Sequence, residues 1–456
     1  MNYQDALDFF QEILSSYLMN ISPSVGKRLG PQDLLSKMDF SIPKKMLGHE
    51  QLIQDVKNYL KFTPNTITSH FQNQLFSGLN PYALCGDWIS TFTNSTMATY
   101  EVAPVATMME KELVKHLNDK IGWTNGDGLM VTGGSNSNFV AMLVARNLHF
   151  PETKIDGLQG KKFTAFVSEE AHYSFDKAAN MLGLGLNSVK KVPSDEKGKM
   201  NPVALRELIL SSLELGEQPY FIGATAGTTV LGAYDPIFEI SEVAREFGIW
   251  FHVDGAWGGS VILSKKHKSL MNGISNADSM ALDTHKMLGT GLISSFFLTR
   301  HYNALRKSNH SGGGDYIFHE NDASAWDLGP SSLQCGRRVD AFKIWLMWRS
   351  MGDEGIEKMI DGLFQNVQLA KLYIESRTEL QLLQDPEMLN ICFAFKDESL
   401  PVAEIRKRLL DDGEFYVNIS TRRGKTFFRM ILVNPMITEI IIIKTINKII
   451  NMEMKS

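Results

Sequence analysis

One lysine lies where its amine could act as a nucleophile. Lys286 follows the apolar run Ser279–Leu282, which predicts a buried strand, and lies among small and apolar residues as far as Gly289. Lysine is rarely buried, and a buried lysine has a lowered pKa and becomes a nucleophilic amine. A solvated surface lysine is the alternative for this position taken alone.

An acidic residue follows a second predicted strand. Asp254 comes directly after the apolar run Ile249–Val253, and the small residues Gly255 and Ala256 follow it. Small residues let a ligand approach the backbone closely, so a ligand-binding carboxylate is one interpretation. An aspartate that caps a helix or forms a turn is the other.

Small and hydroxyl-bearing residues open a predicted helix. The segment Thr132-Gly-Gly-Ser-Asn-Ser-Asn138 runs into the apolar-periodic stretch Phe139–Arg146. Free backbone N–H groups and hydroxyls converge at such a helix N-terminus, and that arrangement binds phosphate. An ordinary serine-capped helix is the alternative for this segment alone.

The three segments together fit pyridoxal 5′-phosphate. This cofactor has an anionic phosphate, a ring nitrogen that must be protonated and an aldehyde. Asp254 would hold the proton on the ring nitrogen, and Lys286 would form the Schiff base with the aldehyde. The helix N-terminus would take the phosphate, so the sequence predicts an enzyme that uses the cofactor ring as an electron sink.

The elements that must position these residues alternate between strands and helices. Apolar strand-like runs lie at Phe163–Ser168, Tyr220–Gly223, Ile249–Val253, Ser279–Leu282 and Ile293–Leu298, with helical stretches such as Pro202–Leu215 and Pro236–Phe247 between several of them. This alternation predicts a mostly parallel sheet covered on both faces, with ligands at the carboxyl ends of its strands. Helices precede it and an α+β region follows it, so we expect segments 1–72, 73–346 and 347–456.

Composition restricts the class of protein. The 456 residues are 43% hydrophobic and 21% charged, which is typical of a soluble globular protein. The net charge of −5 gives no electrostatic footprint for nucleic acid or an anionic membrane. The three cysteines are too few for a disulfide framework or a thiolate metal site and fit a reducing compartment. Without a secretory signal or a long apolar run, we expect a cytoplasmic protein that binds a small molecule and no metal.

Ordered motifs over most of the chain carry a family resemblance. They include Asn73-Gln-Leu75, Thr99-Tyr-Glu-Val-Ala-Pro104, Ala224-Thr-Ala-Gly-Thr-Thr229, His252-Val-Asp254, His285-Lys286, Leu333-Gln-Cys-Gly-Arg337 and Phe427-Phe-Arg-Met430. From Asn73 to Pro435 the chain resembles the group II pyridoxal-phosphate amino-acid decarboxylases, and it is most similar to the glutamate and cysteine-sulfinate branch. The resemblance implies the type I fold: an α/β protein with a seven-stranded, mostly parallel sheet between helices, an N-terminal helical segment and a small α+β C-terminal domain. It also implies a homodimer with sites at the subunit interface and interlocking N-terminal helices.

The same resemblance implies roles for individual residues around the cofactor. It assigns cofactor binding to Gly134, Ser135, His172, Thr229, Asp254, Ala256, His285 and Lys286. His172 would stack on one face of the ring and Ala256 would pack the other. Asp283 departs from the Asn that glutamate decarboxylases usually carry. A carboxylate there would repel phosphate unless it faces a backbone N–H or turns away, so its contact with the phosphate is left open.

A tyrosine on a mobile loop delivers the proton to Cα in the family. Here the matching segment is Ser311-Gly-Gly-Gly-Asp-Tyr316, whose glycines would allow a lid to move. The catalytic set implied is therefore Lys286, Asp254, His172 and Tyr316. A plain exposed loop with an incidental tyrosine is the alternative. Tyr rather than Phe favours the amine product over the aldehyde that some relatives form.

For the substrate, the resemblance implies contacts from Gln74, Phe76, Thr96 and Arg429. Arg429 matches the arginine that grips the side-chain acid in the acidic-substrate branch, and a guanidinium can pair bidentately with carboxylate or sulfinate. A structural ion-pair partner is the alternative for this arginine. Phe76 would shorten the pocket, whereas a small Ala98 would reopen space. We therefore expect α-decarboxylation of aspartate or cysteine sulfinate, then glutamate. The alternatives are another amino acid, including an aromatic one, and aldehyde formation on the same site.

Overall fold

The computed structural model describes residues 3–19, 21–310, 312, 314, 316–319 and 322–453. The chain divides into two compact units. The larger contains Leu79–Gln365 and Pro386–Asn390, and the smaller contains the residues up to Gly78, Asn366–Asp385 and the residues from Ile391 onward. The division into segments 1–72, 73–346 and 347–456 stays a prediction.

Within the described residues the strands and helices are as follows, in chain order. Strands β1 to β12 are Phe71–Gln72, Asp127–Val131, Phe163–Ser168, Val189–Val192, Gln218–Thr225, Trp250–Asp254, Ser279–Asp283, Ser295–Thr299, Leu380–Leu382, Asn390–Phe395, Tyr416–Arg422 and Lys425–Ile431. Helices α1 to α15 are Tyr3–Met19, Pro31–Lys37, His49–Phe62, Pro81–Thr93, Pro104–Ile121, Gly134–His149, Thr153–Asp156, Ser174–Met181, Pro202–Glu214, Ile237–Phe247, Thr284–Met287, Ala304–Asn309, Ala341–Glu375, Val402–Asp412 and Glu439–Glu453.

The larger unit is built on a seven-stranded sheet in the order β2-β8-β7-β6-β5-β3-β4. Strands β4, β3, β5, β6 and β7 pair in parallel, and β8 runs antiparallel to both β7 and β2. Because β8 opposes both neighbours, β2 points in the same direction as β7. The prediction of a mostly parallel seven-stranded sheet is confirmed, and β8 is its one reversed strand in the described part of the chain.

Complete burial explains why the sheet was visible in the sequence. Every residue of β3, β6, β7 and β8 is buried, as expected for strands covered by helices on both faces. Apolar residues of α6, including Val140, Val144 and Ala145, join Tyr220, Trp250 and other sheet residues in one core cluster. Truncating a core aromatic of this kind to alanine costs about 3–5 kcal/mol. The core therefore holds the strand ends, and the side chains that follow them, in fixed positions.

The smaller unit contains a five-stranded sheet in the order β1-β11-β12-β10-β9. The parallel pair β1–β11 matches Phe71 with Tyr416, and the antiparallel pair β11–β12 matches Asn418 with Arg429. Phe71 and Tyr416 form an apolar cluster with Val25 and Leu410, against which Phe76 packs. The sheet therefore brings β1, near residue 71, beside strands from the C-terminal part of the chain.

Among the described residues, none of the helices combines the length and apolar character that a bilayer crossing requires.

Candidate active site

Four strand ends of the larger unit supply the candidate site. Val131 ends β2, Ser168 ends β3, Asp254 ends β6 and Asp283 ends β7. These four strands point in the same direction, so their carboxyl ends lie along one edge of the sheet. Crevices outside the carboxyl ends of parallel strands are where such sheets bind ligands.

Lys286 lies in the short helix α11, directly after β7. Its Nζ is 3.0 Å from Asp283 Oδ2, and the side chains of the two residues are 22% and 2% exposed. The other carboxylate oxygen, Asp283 Oδ1, is buried without a hydrogen-bond partner among the described residues. The amine is thus held by a buried carboxylate but remains accessible to a small molecule.

Asp254 is 6% exposed at the end of β6. Its Oδ2 accepts a 2.8 Å hydrogen bond from Asn138 Nδ2, and its Oδ1 accepts a 3.1 Å bond from the backbone N–H of Ala256. Hydrogen bonds donated to a carboxylate favour its ionised form. Each oxygen keeps a further lone pair, so this carboxylate can still accept a hydrogen bond from a protonated ring nitrogen.

His172 faces the charges of both residues. Burial lowers its pKa, and the ammonium of Lys286 acts in the same direction, while Asp254 and Asp283 oppose the shift. Its Nδ1 accepts a hydrogen bond from the backbone N–H of Ser174 at 3.3 Å. A neutral imidazole within electrostatic reach of these three charged groups is suited to stacking on a cofactor ring.

The start of α6 has no room for a side chain. A Cβ added to Gly134 would lie 2.7 Å from Ala256 Cβ and 2.9 Å from Asp283 Oδ2. Glycine is therefore required at the first helical residue, next to the free N–H groups of the helix. Ser135, one residue later, is exposed with its hydroxyl available to a ligand.

These contacts bring Gly134, His172, Asp254, Ala256 and Lys286 into one site. An accessible amine, a hydrogen-bonded carboxylate, a neutral imidazole and a helix N-terminus match the aldehyde, ring nitrogen, ring face and phosphate of pyridoxal phosphate. The residues present therefore fit the cofactor.

The remaining predicted cofactor contacts lie in the same unit. His285 Nε2 is 3.7 Å from Asp283 Oδ2, its Nδ1 is 2.9 Å from the backbone oxygen of Ser294, and burial lowers its pKa. The backbone oxygen of Thr229 accepts a 3.1 Å hydrogen bond from Asn390. Thr96, predicted for the substrate, also belongs to this unit, and its hydroxyl accepts from the backbone N–H of Arg337 at 3.2 Å.

The predicted proton donor belongs to a segment that is described in part. Tyr316 is 81% exposed. Ser311, Gly313 and Asp315 of the glycine-rich motif lie outside the described residues.

The other predicted substrate residues belong to the smaller unit. Arg429, on β12, is 7% exposed and donates a 3.1 Å hydrogen bond to the backbone oxygen of Asn73. Burial lowers the pKa of Arg429 and raises that of the neighbouring Cys392 thiol to about 12, so the thiol stays neutral beside the guanidinium. Gln74 is exposed, and Phe76 is half-buried with its ring 5.9 Å from that of Phe71.

Two residues that contact the site were not singled out from the sequence. Asn138 lies in the segment expected to bind phosphate, but its amide donates to Asp254. Ser174 accepts from the same amide and supplies the backbone N–H bound by His172. The only sequence signal was their position just after strand ends, which many residues share.

Known proteins match this geometry and sequence. The family model described as "Pyridoxal-dependent decarboxylase conserved domain" matches residues 31–396. The cysteine sulfinic acid decarboxylase of Mus musculus is 39% identical over 429 residues, which cover 90% of this chain and 87% of the relative. The acidic amino acid decarboxylase GADL1 of Xenopus tropicalis is 36% identical over 427 residues, covering 90% and 84%.

A solved structure agrees with these matches. The crystal structure of mouse CSAD superposes with a TM-score of 0.95 at 35% identity, covering 99% of each chain. The type I fold and the use of pyridoxal phosphate follow from these likenesses together with the fitted site. The chain belongs to the pyridoxal-dependent decarboxylase family.

Proposed function

We propose that this decarboxylase removes the α-carboxyl group of a short acidic L-amino acid, aspartate or cysteine sulfinate in preference to glutamate, and releases the amine and CO₂. The observation that carries the substrate class is the buried guanidinium of Arg429 on β12. A planar guanidinium can pair bidentately with a carboxylate or sulfinate. The names of the similar relatives, which act on cysteine sulfinic acid and acidic amino acids, support the same class.

Pyridoxal phosphate, when bound, supplies the electron sink that accepts the electron pair left at Cα as CO₂ departs. Lys286 would hold the aldehyde carbon through its Nζ, and Asp254 would keep a proton on the ring nitrogen. His172 and Ala256 would flank the ring. Gly134 and Ser135 would hold the phosphate, and His285 would lie close to the cofactor. Thr229 would lie near the cofactor and the reacting carboxylate.

After CO₂ has left, Cα needs a proton. We assign its delivery to the Tyr316 hydroxyl, since general acids of this kind act by placing a proton at the reacting atom. Arg429 would bind the substrate's side-chain acid, and Gln74 and Thr96 would contact the substrate. Phe76 would restrict the substrate's length. A bulky Phe76 favours a substrate shorter than glutamate.

A panel of amino acids tests this proposal. CO₂ and amine release is measured with aspartate, cysteine sulfinate, cysteate, glutamate and aromatic amino acids on the cofactor-saturated protein. We expect the short acidic substrates to have the highest kcat/KM. Preference for an aromatic amino acid, or turnover of none of them, would contradict the proposal.

A variant of Phe76 tests whether this residue limits the length of the substrate. Phe76→Ser should raise kcat/KM for glutamate relative to aspartate by about tenfold. Room for one more methylene in a pocket changes the discrimination between two substrates by about that factor. Phe40→Ser is the matched control, since Phe40 is an exposed phenylalanine of the same unit. An unchanged ratio in Phe76→Ser would remove Phe76 from the substrate site.

We also propose that the protein is a cytoplasmic homodimer. On α4, Tyr82, Ile89 and Phe92 lie on one helix face and are exposed in the single chain, as are Val105 and Met108 of α5. Burial of such apolar faces by a second copy would stabilise both chains. Sedimentation equilibrium should give twice the chain mass, and Ile89→Glu should shift it to the monomer.

A further inference from the structure

Asn138 joins two parts of the candidate active site. Its Nδ2 donates to Asp254 Oδ2 and to Ser174 Oγ, each at 2.8 Å. The backbone N–H of Ser174 in turn donates to His172 Nδ1. Both N–H groups of the amide are therefore used, and its remaining polar atom, Oδ1, can only accept a hydrogen bond.

The acceptor side of Asn138 continues into a buried chain of hydrogen bonds. Asn138 Oδ1 is 3.0 Å from His252 Nε2, and His252 Nδ1 is 2.9 Å from Ser279 Oγ. Ser279 Oγ also accepts from Trp250 Nε1 at 2.9 Å. All four side chains belong to residues that are at most 2% exposed.

The chemistry of the donors gives this chain one direction. The Asp254 carboxylate oxygen accepts, so the amide presents its N–H groups to Asp254 and Ser174 and its Oδ1 to His252 Nε2, which must then donate. A neutral His252 with its proton on Nε2 accepts at Nδ1 from the Ser279 hydroxyl. Ser279 in turn accepts from Trp250, since an indole N–H can only donate.

We propose that Trp250, Ser279, His252 and Asn138 form a directional hydrogen-bond chain that positions the Asp254 carboxylate for the ring nitrogen of pyridoxal phosphate. Asn138 and His252 are positioning residues, since they act through Asp254. The inference rests on the assignment of Asp254 within the proposed function. Burial lowers the pKa of His252 to about 3, which keeps its ring neutral.

Loss of His252 would leave Asn138 Oδ1 buried without a donor. The amide would then be held only through its N–H groups, so it and the Asp254 carboxylate would be less firmly oriented. A purely structural role for His252 predicts lower stability without a specific effect on the cofactor.

The tautomer can be measured without cofactor. Nitrogen NMR of the protein labelled with ¹⁵N-histidine, with His252 identified from a His252→Gln sample, reports which ring nitrogen carries the proton. We expect a neutral ring protonated on Nε2 from about pH 5 to about pH 8. A proton on Nδ1, or an imidazolium in this range, would overturn the chain.

Cofactor binding tests the link to Asp254. His252→Phe should weaken pyridoxal phosphate binding about tenfold and alter the pH dependence of the bound cofactor's absorbance, and His252→Gln, which keeps a donor, should restore both. Thr164→Val is the matched control, because it removes a buried hydroxyl of β3, in the same sheet, that bonds Ser212 of α9. An effect of His252→Phe no larger than that of Thr164→Val would overturn the proposal. Failure of the wild-type protein to bind the cofactor would instead contradict the proposed function. The NMR measurement of the His252 tautomer would still test the hydrogen-bond chain in that case.

Discussion

Asp283 Oδ2 lies 3.0 Å from Lys286 Nζ, and the same oxygen would be 2.9 Å from a Cβ on Gly134. One buried carboxylate therefore lies beside both the nucleophilic amine and the helix start that fits a phosphate. The carboxylate pairs with the amine, which is neither of the two arrangements expected to reduce repulsion of a phosphate, so its contact with the phosphate stays an open prediction.

Replacing this carboxylate should strengthen cofactor binding. Asp283→Asn removes the 3.0 Å ion pair with the amine of Lys286 and removes a negative charge near the phosphate. We expect the dissociation constant for pyridoxal phosphate to fall by up to about tenfold, measured by absorbance titration of the apo-protein. Asp119→Asn, which removes an exposed ion pair with Lys115, is the control and should have no effect. Weaker binding in Asp283→Asn would mean that the carboxylate helps to hold the cofactor.

Loss of the Arg429 guanidinium should selectively weaken the binding of acidic substrates. Arg429→Gln removes a charge-assisted contact, so we expect KM for aspartate and cysteine sulfinate to rise by about 10- to 100-fold. The affinity for pyridoxal phosphate should stay unchanged. Arg423→Gln, at an exposed position of the β11–β12 turn, serves as the control. Equal KM values for Arg429→Gln and wild type would leave Arg429 with a structural role only.

Removal of the Tyr316 hydroxyl should change the product. Tyr316→Phe lacks the proton donor for Cα, so amine formation should fall by about 100-fold or more. Aldehyde, ammonia and peroxide are the products to look for in its place, and cofactor affinity should be unaffected. Tyr302→Phe removes the hydroxyl of another highly exposed tyrosine and should retain full activity. Normal amine output from Tyr316→Phe would show that another group supplies the proton.

Burial of His252 should make stability depend on pH. Its pKa is lowered to about 3 in the folded protein, whereas an unfolded histidine titrates near about 6.5. Between these values the unfolded chain binds a proton that the folded chain does not. The free energy of unfolding should therefore fall as pH decreases from about 6.5 to about 3.

The variant His252→Gln isolates this contribution from that of other buried histidines. Its thermal unfolding midpoint should decrease less steeply with falling pH than that of the wild type. Parallel curves for the two proteins would contradict a neutral, buried His252.

Burial on both faces made most of the large sheet predictable. The run Phe163–Ser168 coincides with β3 because a strand buried on both faces is made mostly of apolar residues. Strand β4, Val-Lys-Lys-Val from Val189 to Val192, was not predicted because it is a short edge strand with two lysines. The reversed direction of β8 also could not be predicted, since composition and alternation do not encode strand direction.

The parts of the site that could be predicted are the reactive side chains that directly follow a strand. Asp254 and Lys286 each had an ordinary structural alternative, and they were identified because, together with the helix start near Gly134, they match the three reactive parts of one cofactor. The bond between Asn138 and Asp254 could not be predicted, since successive residues of a helix's first turn point in different directions. The pairing of Asp283 with Lys286 likewise depends on side-chain positions that the sequence leaves open.

The central claim is that Lys286 is the amine that binds the cofactor aldehyde. Borohydride reduction of the pyridoxal phosphate-loaded protein, followed by peptide mass spectrometry, traps that bond at the lysine that forms it. We predict a phosphopyridoxyl group on Lys286 and no such group in Lys286→Ala. A modified lysine elsewhere in the wild-type protein, with Lys286 unmodified, would contradict the account.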